Sequence, residues 1–120
     1  MKKQFILKAI EEAERSHQNF KHGAILVKNK KILSSGHNHV TKRCPSHMHS
    51  VHAEMDAIKQ STDKSSVIQN SHIYVVRINK CGLADSKPCC LCQHFMKMHG
   101  ISRVFYSTGS TDDEFASLYI

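Results

Sequence analysis

The chain has no unbroken apolar run approaching the ~20 residues that a bilayer-spanning helix requires. Its Met1-Lys2-Lys3 start also lacks the long apolar stretch and small-residue cleavage site of a secretory leader. A soluble, intracellular and cytoplasmic protein with no membrane partner is expected. Repeats, low-complexity tracts and linkers are missing as well, with only 5 glycines and 2 prolines in 120 residues. The length and the 40% hydrophobic content then suit one domain over residues 1–120 with a single core. Acidic residues are few, 10 against 17 Lys and Arg, which leaves a formal net charge of +7. The basic residues are scattered from Lys2 to Arg103, a balance that suits anionic partners such as nucleotides or nucleic acid and equally a solvated surface. No segment interleaves aromatic and basic residues in the way that stacks single-stranded bases.

An even set of paired cysteines is also lacking. There are 5 cysteines, two of them in a C-x-x-C, beside 10 histidines. Metal binding in a reducing compartment explains that set better than a disulfide framework.

Turning to what is present, Ile6, Ala9, Ile10 and Ala13 share one face of residues 4–17, which predicts an amphipathic helix. Ala24–Val27 and Ile32–Ser35, separated by the polar Lys28-Asn29-Lys30-Lys31, predict a β-hairpin. Gly36–Ser50 has no period and reads as a long loop, a candidate functional segment. Val51, Met55 and Ile58 predict a second helix through Gln60, and the β-branched run Ile73–Ile78 a buried central strand. After a loop over Asn79–Pro88, the residues Cys89, Cys92, Phe95, Met96 and His99 lie on one helical face as far as Gly100. Val104–Tyr106 makes a last strand, and the polar tail leaves room for one helical turn at Asp112–Ser117. The order predicts a three-layer α/β/α sandwich with an antiparallel first hairpin and parallel later strands joined by a crossover.

Two fragments carry chemistry, each at a predicted helix start: His52-Ala53-Glu54 and Pro88-Cys89-Cys90-Leu91-Cys92. Alone, His-x-Glu is an ordinary surface pair and C-x-x-C a redox motif or half a structural zinc site; together they point to catalysis. The positive end of a helix favours thiolate over thiol, and so favours metal ligation by Cys89 and Cys92. One imidazole and two thiolates leave a tetrahedral zinc ion its fourth position for water, whose pKa falls to near ~7. Glu54, two residues from His52 and outside the ligand set, is placed to move protons between water, a ring nitrogen and departing ammonia. Cys90 between the ligands is expected to pack.

H-A-E followed by P-C-C-L-C resembles the H-x-E…P-C-x-x-C signature of the cytidine and deoxycytidylate deaminase superfamily. The resemblance extends over about residues 22–107, with H-G-A-I-L-V similar to the family's first strand and S-G-H-N-H to the end of its second. It implies the cytidine deaminase fold, one catalytic zinc ion held by His52, Cys89 and Cys92, Glu54 as proton shuttle, and Asn38 and Ala53 at the substrate. Asn38 has the alternative of a turn residue. The implied reaction converts the cytosine of cytidine, deoxycytidine or a monophosphate to uracil with release of ammonia. Deamination of a base in nucleic acid, tRNA adenosine included, is an alternative, although Lys87 stands before Pro88 where tRNA adenosine deaminases usually have Glu. A non-catalytic zinc-binding module is another, against which an intact Glu54 argues.

After Tyr106 too few residues remain for the family's usual C-terminal helix and fifth strand, so that edge of the sheet is expected to be absent, replaced by the tail or supplied by another subunit, and a homo-oligomer is expected. Cys44, His47, His49 and Cys81 form a weaker candidate for a second metal site, against which stands the lack of paired spacing. Lys42, Arg43, Lys80 and Lys87 lie in loops expected near the helix starts, where a substrate phosphate would meet them.

Overall fold

The computed structural model describes residues 3–18, 20–44, 47–61, 69–110 and 114–120, with the backbone alone at 41–44 and 47–50. The elements run α1 (Lys3–Ala13), β1 (Lys21–Lys28), β2 (Lys31–His37), β3 (His39–Cys44), β4 (His47–Val51) and α2 (Ala53–Gln60), then β5 (His72–Asn79), β6 (Gly82–Ala84), α3 (Cys90–Met98), β7 (Arg103–Ser107) and β8 (Phe115–Tyr119). The main sheet has the order β2-β1-β5-β7-β8, and β6 folds back on the end of β5. The pairs β1/β2, β1/β5 and β7/β8 are antiparallel and β5/β7 is parallel. The predicted run Ile73–Ile78 is therefore the central strand.

Strand periodicity sorts the core into two layers. Ala24 and Leu26 of β1, with Ile73 and Val75 of β5, face α2 and α3 and pack with Ala53, Ala57, Ile58, Cys92 and Met96. Ile25, Val27, Tyr74 and Val76, one residue out of phase, face α1 and pack with Phe5, Ala9 and Ala13. The predicted α/β/α sandwich is the observed architecture. Two glycines seat its helices. A Cβ on Gly23 would collide with the Ala9 carbonyl and the Ala13 backbone of α1, and one on Gly36 would lie 2.8 Å from the Ala53 carbonyl of α2.

The first hairpin closes as expected, through Asn29 and Lys30 at φ 51° and 65°, the twist that two-residue hairpin turns favour. Several boundaries differ from the sequence reading. Helix α1 ends at Ala13 instead of residue 17 because the chain turns inward at the buried Ser16, whose hydroxyl accepts the Gln18 N–H. The segment read as a loop over Gly36–Ser50 contains the end of β2 and a separate two-stranded sheet, β3 with β4. Lys, Arg and His interrupt Val40 and Thr41, so no apolar alternation marked those strands. Strand β6 likewise lies within the expected loop over Asn79–Pro88.

Of the three outcomes open for the sheet edge, the tail replaces it: in place of a helical turn within Asp112–Ser117, Phe115–Tyr119 forms β8 as the fifth strand, antiparallel to β7 with Val104 opposite Leu118. Its alternation is a strand's: Phe115 joins the layer under α1, while Leu118 and Ile120 join the layer under α2 and α3. The chain's own tail covers that edge, so the ground for placing a partner subunit there does not apply. Among the described residues no helix follows α3, and none is long and apolar enough to cross a membrane.

Candidate active site

Helices α2 and α3 lie on one face of the sheet, and each begins on a motif residue. His52, in extended conformation, is the N-cap of α2, and Cys89 is the N-cap of α3, its sulfur 3.5 Å from the Cys92 N–H. Cys92 then falls one turn into α3, where it is buried in the core. The structure thus brings together what the sequence separates by some forty positions: His52 Nδ1 lies 3.1 Å from Cys92 Sγ. The donor atoms of His52, Cys89 and Cys92 all lie within 4.8 Å of one another. Two thiolates bound to one tetrahedral zinc ion at about 2.3 Å each stand about 3.8 Å apart, so the group matches such an ion in scale and donor chemistry.

Glu54 projects from the first turn of α2 and is 5% exposed. Burial raises the pKa of its carboxyl, opposed by its own backbone N–H, by His52 and by the Cys92 thiol. The expected preference of Cys92 for thiolate is reversed in the chain by itself. Burial pushes its thiol up, and the Glu54 carboxylate and Cys89 push it further, outweighing the helix terminus. The buried Cys92 thiol, with the Cys89 thiol and the His52 imidazole, forms a donor set that a divalent cation would ionise and hold, and the Glu54 carboxyl lies beside it.

These groups open into a cavity of about 660 Å³, a size typical of small-molecule sites. Its wall includes His52, Ala53, Glu54 and Cys89 on the helix side and Gln18, Phe20, His22 and Asn38 on the strand side. Arg77, Ser86, Lys87 and Pro88 complete the lining. Asn38 is 7% exposed, and its Oδ1 accepts the His22 N–H at 2.8 Å. Its Nδ2 donates to Gln18 Oε1 at 2.7 Å and to the Phe20 carbonyl, so the amide holds the strand-side wall in place. The wall is tied to α2 where Asp56 Oδ2 accepts the His37 N–H at 3.1 Å. Buried Ser86 is fixed by Ser107 and donates to the Val75 carbonyl at 2.9 Å.

Of the other sequence candidates, Lys87 lines the cavity while Lys80 is exposed and does not. Cys90 is exposed and not packed, because the helix turns it away from the core that holds Cys92. Cys81 is exposed and joins no metal-binding group among the described residues. The side chains of Lys42, Arg43, Cys44, His47 and His49 lie outside the described residues. Sequence reading missed Phe20, His22 and Arg77. His22 and Arg77 are cross-strand partners on β1 and β5, in phase with Ala24 and Val75 and therefore on the α2/α3 side. Burial lowers the His22 pKa, and the Arg77 charge lowers it further. The available signal was Arg77 itself, a charge within an apolar β-branched run.

Comparison with known proteins agrees with this geometry. The model of the cytidine and deoxycytidylate deaminase zinc-binding region matches residues 1–108. No protein with a curated description matches the sequence. Among solved structures, the dCMP deaminase of cyanophage S-TIM5 in apo form superposes with a TM-score of 0.71 at 24% identity, covering 92% of this chain and 88% of that one. Cytidine deaminase from Burkholderia pseudomallei gives 0.70 at 20% identity, over 99% and 93% of the two chains. A diaminohydroxyphosphoribosylaminopyrimidine deaminase/5-amino-6-(5-phosphoribosylamino)uracil reductase from Thermotoga maritima gives 0.63 at 22% identity, over 90% of this chain and 29% of that one. At these identities the likeness speaks for the fold, which is shared by proteins with different substrates. The matched zinc-binding region, the two helix starts and the shared sandwich lead to one conclusion: the chain belongs to the cytidine and deoxycytidylate deaminase family.

Proposed function

We propose that the protein is a zinc-dependent hydrolytic deaminase that converts the cytosine of a free nucleoside or nucleotide to uracil and ammonia. The observation that carries this reading is the buried carboxyl of Glu54 beside the His52, Cys89 and Cys92 donors at the inner wall of an open cavity. His52 through Nδ1 and the sulfurs of Cys89 and Cys92 would hold the ion. Bound there, zinc supplies Lewis acidity and makes water nucleophilic near neutral pH.

Glu54 does the proton work. Its carboxylate takes a proton from the attacking water and delivers it to ring N3 as the C4–O bond forms. It then carries the second water proton to the exocyclic nitrogen as the C4–N bond breaks, so cytosine and water become uracil and ammonia. A carboxyl whose pKa burial has raised suits a group that must both accept and return a proton. The backbone of Ala53, at the start of α2, faces the base from the helix side, and Asn38 keeps the opposite wall at its spacing and meets the substrate with the remaining lone pair of Oδ1.

The test is ammonia release by zinc-loaded wild type and Glu54→Ala protein against cytosine, cytidine, deoxycytidine, their monophosphates, and RNA and DNA oligonucleotides. Turnover of a free cytosine compound is expected, with kcat lower by about 10²- to 10⁴-fold in Glu54→Ala at unchanged zinc content. Turnover of oligonucleotides alone would move the activity to nucleic acid, and silence across the panel at stoichiometric zinc would overturn the enzyme reading.

A further inference from the structure

The cavity contains a cation that the proposed chemistry does not use. Arg77 reaches it from β5, opposite His22, with its guanidinium carbon 4.6 Å from the centre of the Phe20 ring. Its Nε is buried and has no hydrogen-bond partner, and among the described residues no carboxylate forms an ion pair with it. Arg103 provides a contrast within the same chain. It also has a buried, unpartnered Nε, but it is clamped between the Phe105 and Tyr119 rings and donates through Nη2 to Ser117 at 3.0 Å. Among the described residues Arg77 has one aromatic face and no acceptor, and an open cavity lies before it.

A guanidinium is always charged and presents a planar fork of donors, so a half-buried one without acceptors is poised for an oxyanion. The surroundings select the same charge. Lys87 adds a second cation to the lining, and among the described residues Glu54, on the helix side, is its only carboxylate. Phe20, which is 61% exposed, covers the guanidinium from one side.

We propose that Arg77, supported by Lys87, binds the phosphate of the substrate and so selects a nucleoside monophosphate over the free nucleoside. The inference rests on the deaminase reading above and narrows its substrate class. Arg77 is a specificity residue here, remote from the proton transfers assigned to Glu54.

The experiment is calorimetric titration of the zinc-loaded chain with dUMP, deoxyuridine, inorganic phosphate and a deoxyuridine-containing oligonucleotide, in wild type, Arg77→Gln and Arg77→Lys. The expected result is tighter binding of dUMP than of deoxyuridine in wild type. Arg77→Gln should lose about 10- to 100-fold in dUMP affinity with deoxyuridine unchanged. Arg77→Lys, which keeps the charge without the fork, should fall between them and covers the case in which the Gln variant does not fold. Equal loss for dUMP and deoxyuridine, or no loss for either, overturns the proposal, as does Arg77-dependent binding of the oligonucleotide without binding of dUMP. Arg77-dependent binding of inorganic phosphate, with no gain from a pyrimidine ring, would leave the anion subsite standing and overturn the cytosine reading instead.

Discussion

At the scale of the residue, one histidine outside the site sets a pH dependence. His72, at the start of β5, packs edge-on against Phe105, and burial followed by the Arg103 charge lowers its pKa from 6.5. The unfolded chain therefore takes up a proton near pH 6.5 that the folded chain resists, so stability present above that pH is lost as pH falls toward the folded value. His22 acts in the same direction. Urea midpoints measured at about pH 7.5 and about pH 5.5 should separate more in wild type than in His72→Gln. Equal separations would remove His72 from the account. Residue-scale reading of the sequence was strongest where function is local. His-Ala-Glu and Cys-Cys-Leu-Cys each occupy a single helix start, so spacing alone showed which side chains share a surface. Arg77 and His22 meet through the register that sets Lys21 opposite Ile78, and no spacing along the chain contains that register.

At the scale of the element, Gly23 and Gly36 stand in parallel positions on opposite faces of the sheet, and they separate stability from function. Gly23→Ala drives a methyl into the backbone of α1, and Gly36→Ala drives one into the backbone of α2. Each should cost about 1–3 kcal/mol by overpacking, measured as a shift in urea midpoint. Their effects on the site should differ. Helix α2 carries His52 and Glu54, so Gly36→Ala should also weaken zinc binding and turnover, while Gly23→Ala protein that remains folded should keep both. Loss of zinc in both variants alike would show that the two helices are not independent supports. The elements hardest to read were those without an apolar face of their own. β3 and β4 pair outside the main sheet among polar residues, and β8 follows a polar segment that hid the alternation of Phe115, Leu118 and Ile120.

At the scale of the whole molecule, the donor group joins parts of the chain that the sheet alone links only indirectly. Removing zinc with a chelator should lower the melting temperature, and resaturation at about 100 to 1,000 times Kd should restore about 3–4 kcal/mol. In Cys92→Ser the added stability should be largely absent, and a wild type indifferent to zinc would count against a bound ion altogether. The central place of β5 has a further consequence for the order of events during synthesis. His52 precedes that strand and the donor cysteines Cys89 and Cys92 follow it, with β5 paired to β1 so that Val75 lies beside Ala24. A nascent chain that has not yet released α3 holds only His52 of the three clustered donors, so this site is completed late in synthesis, after β5 has emerged.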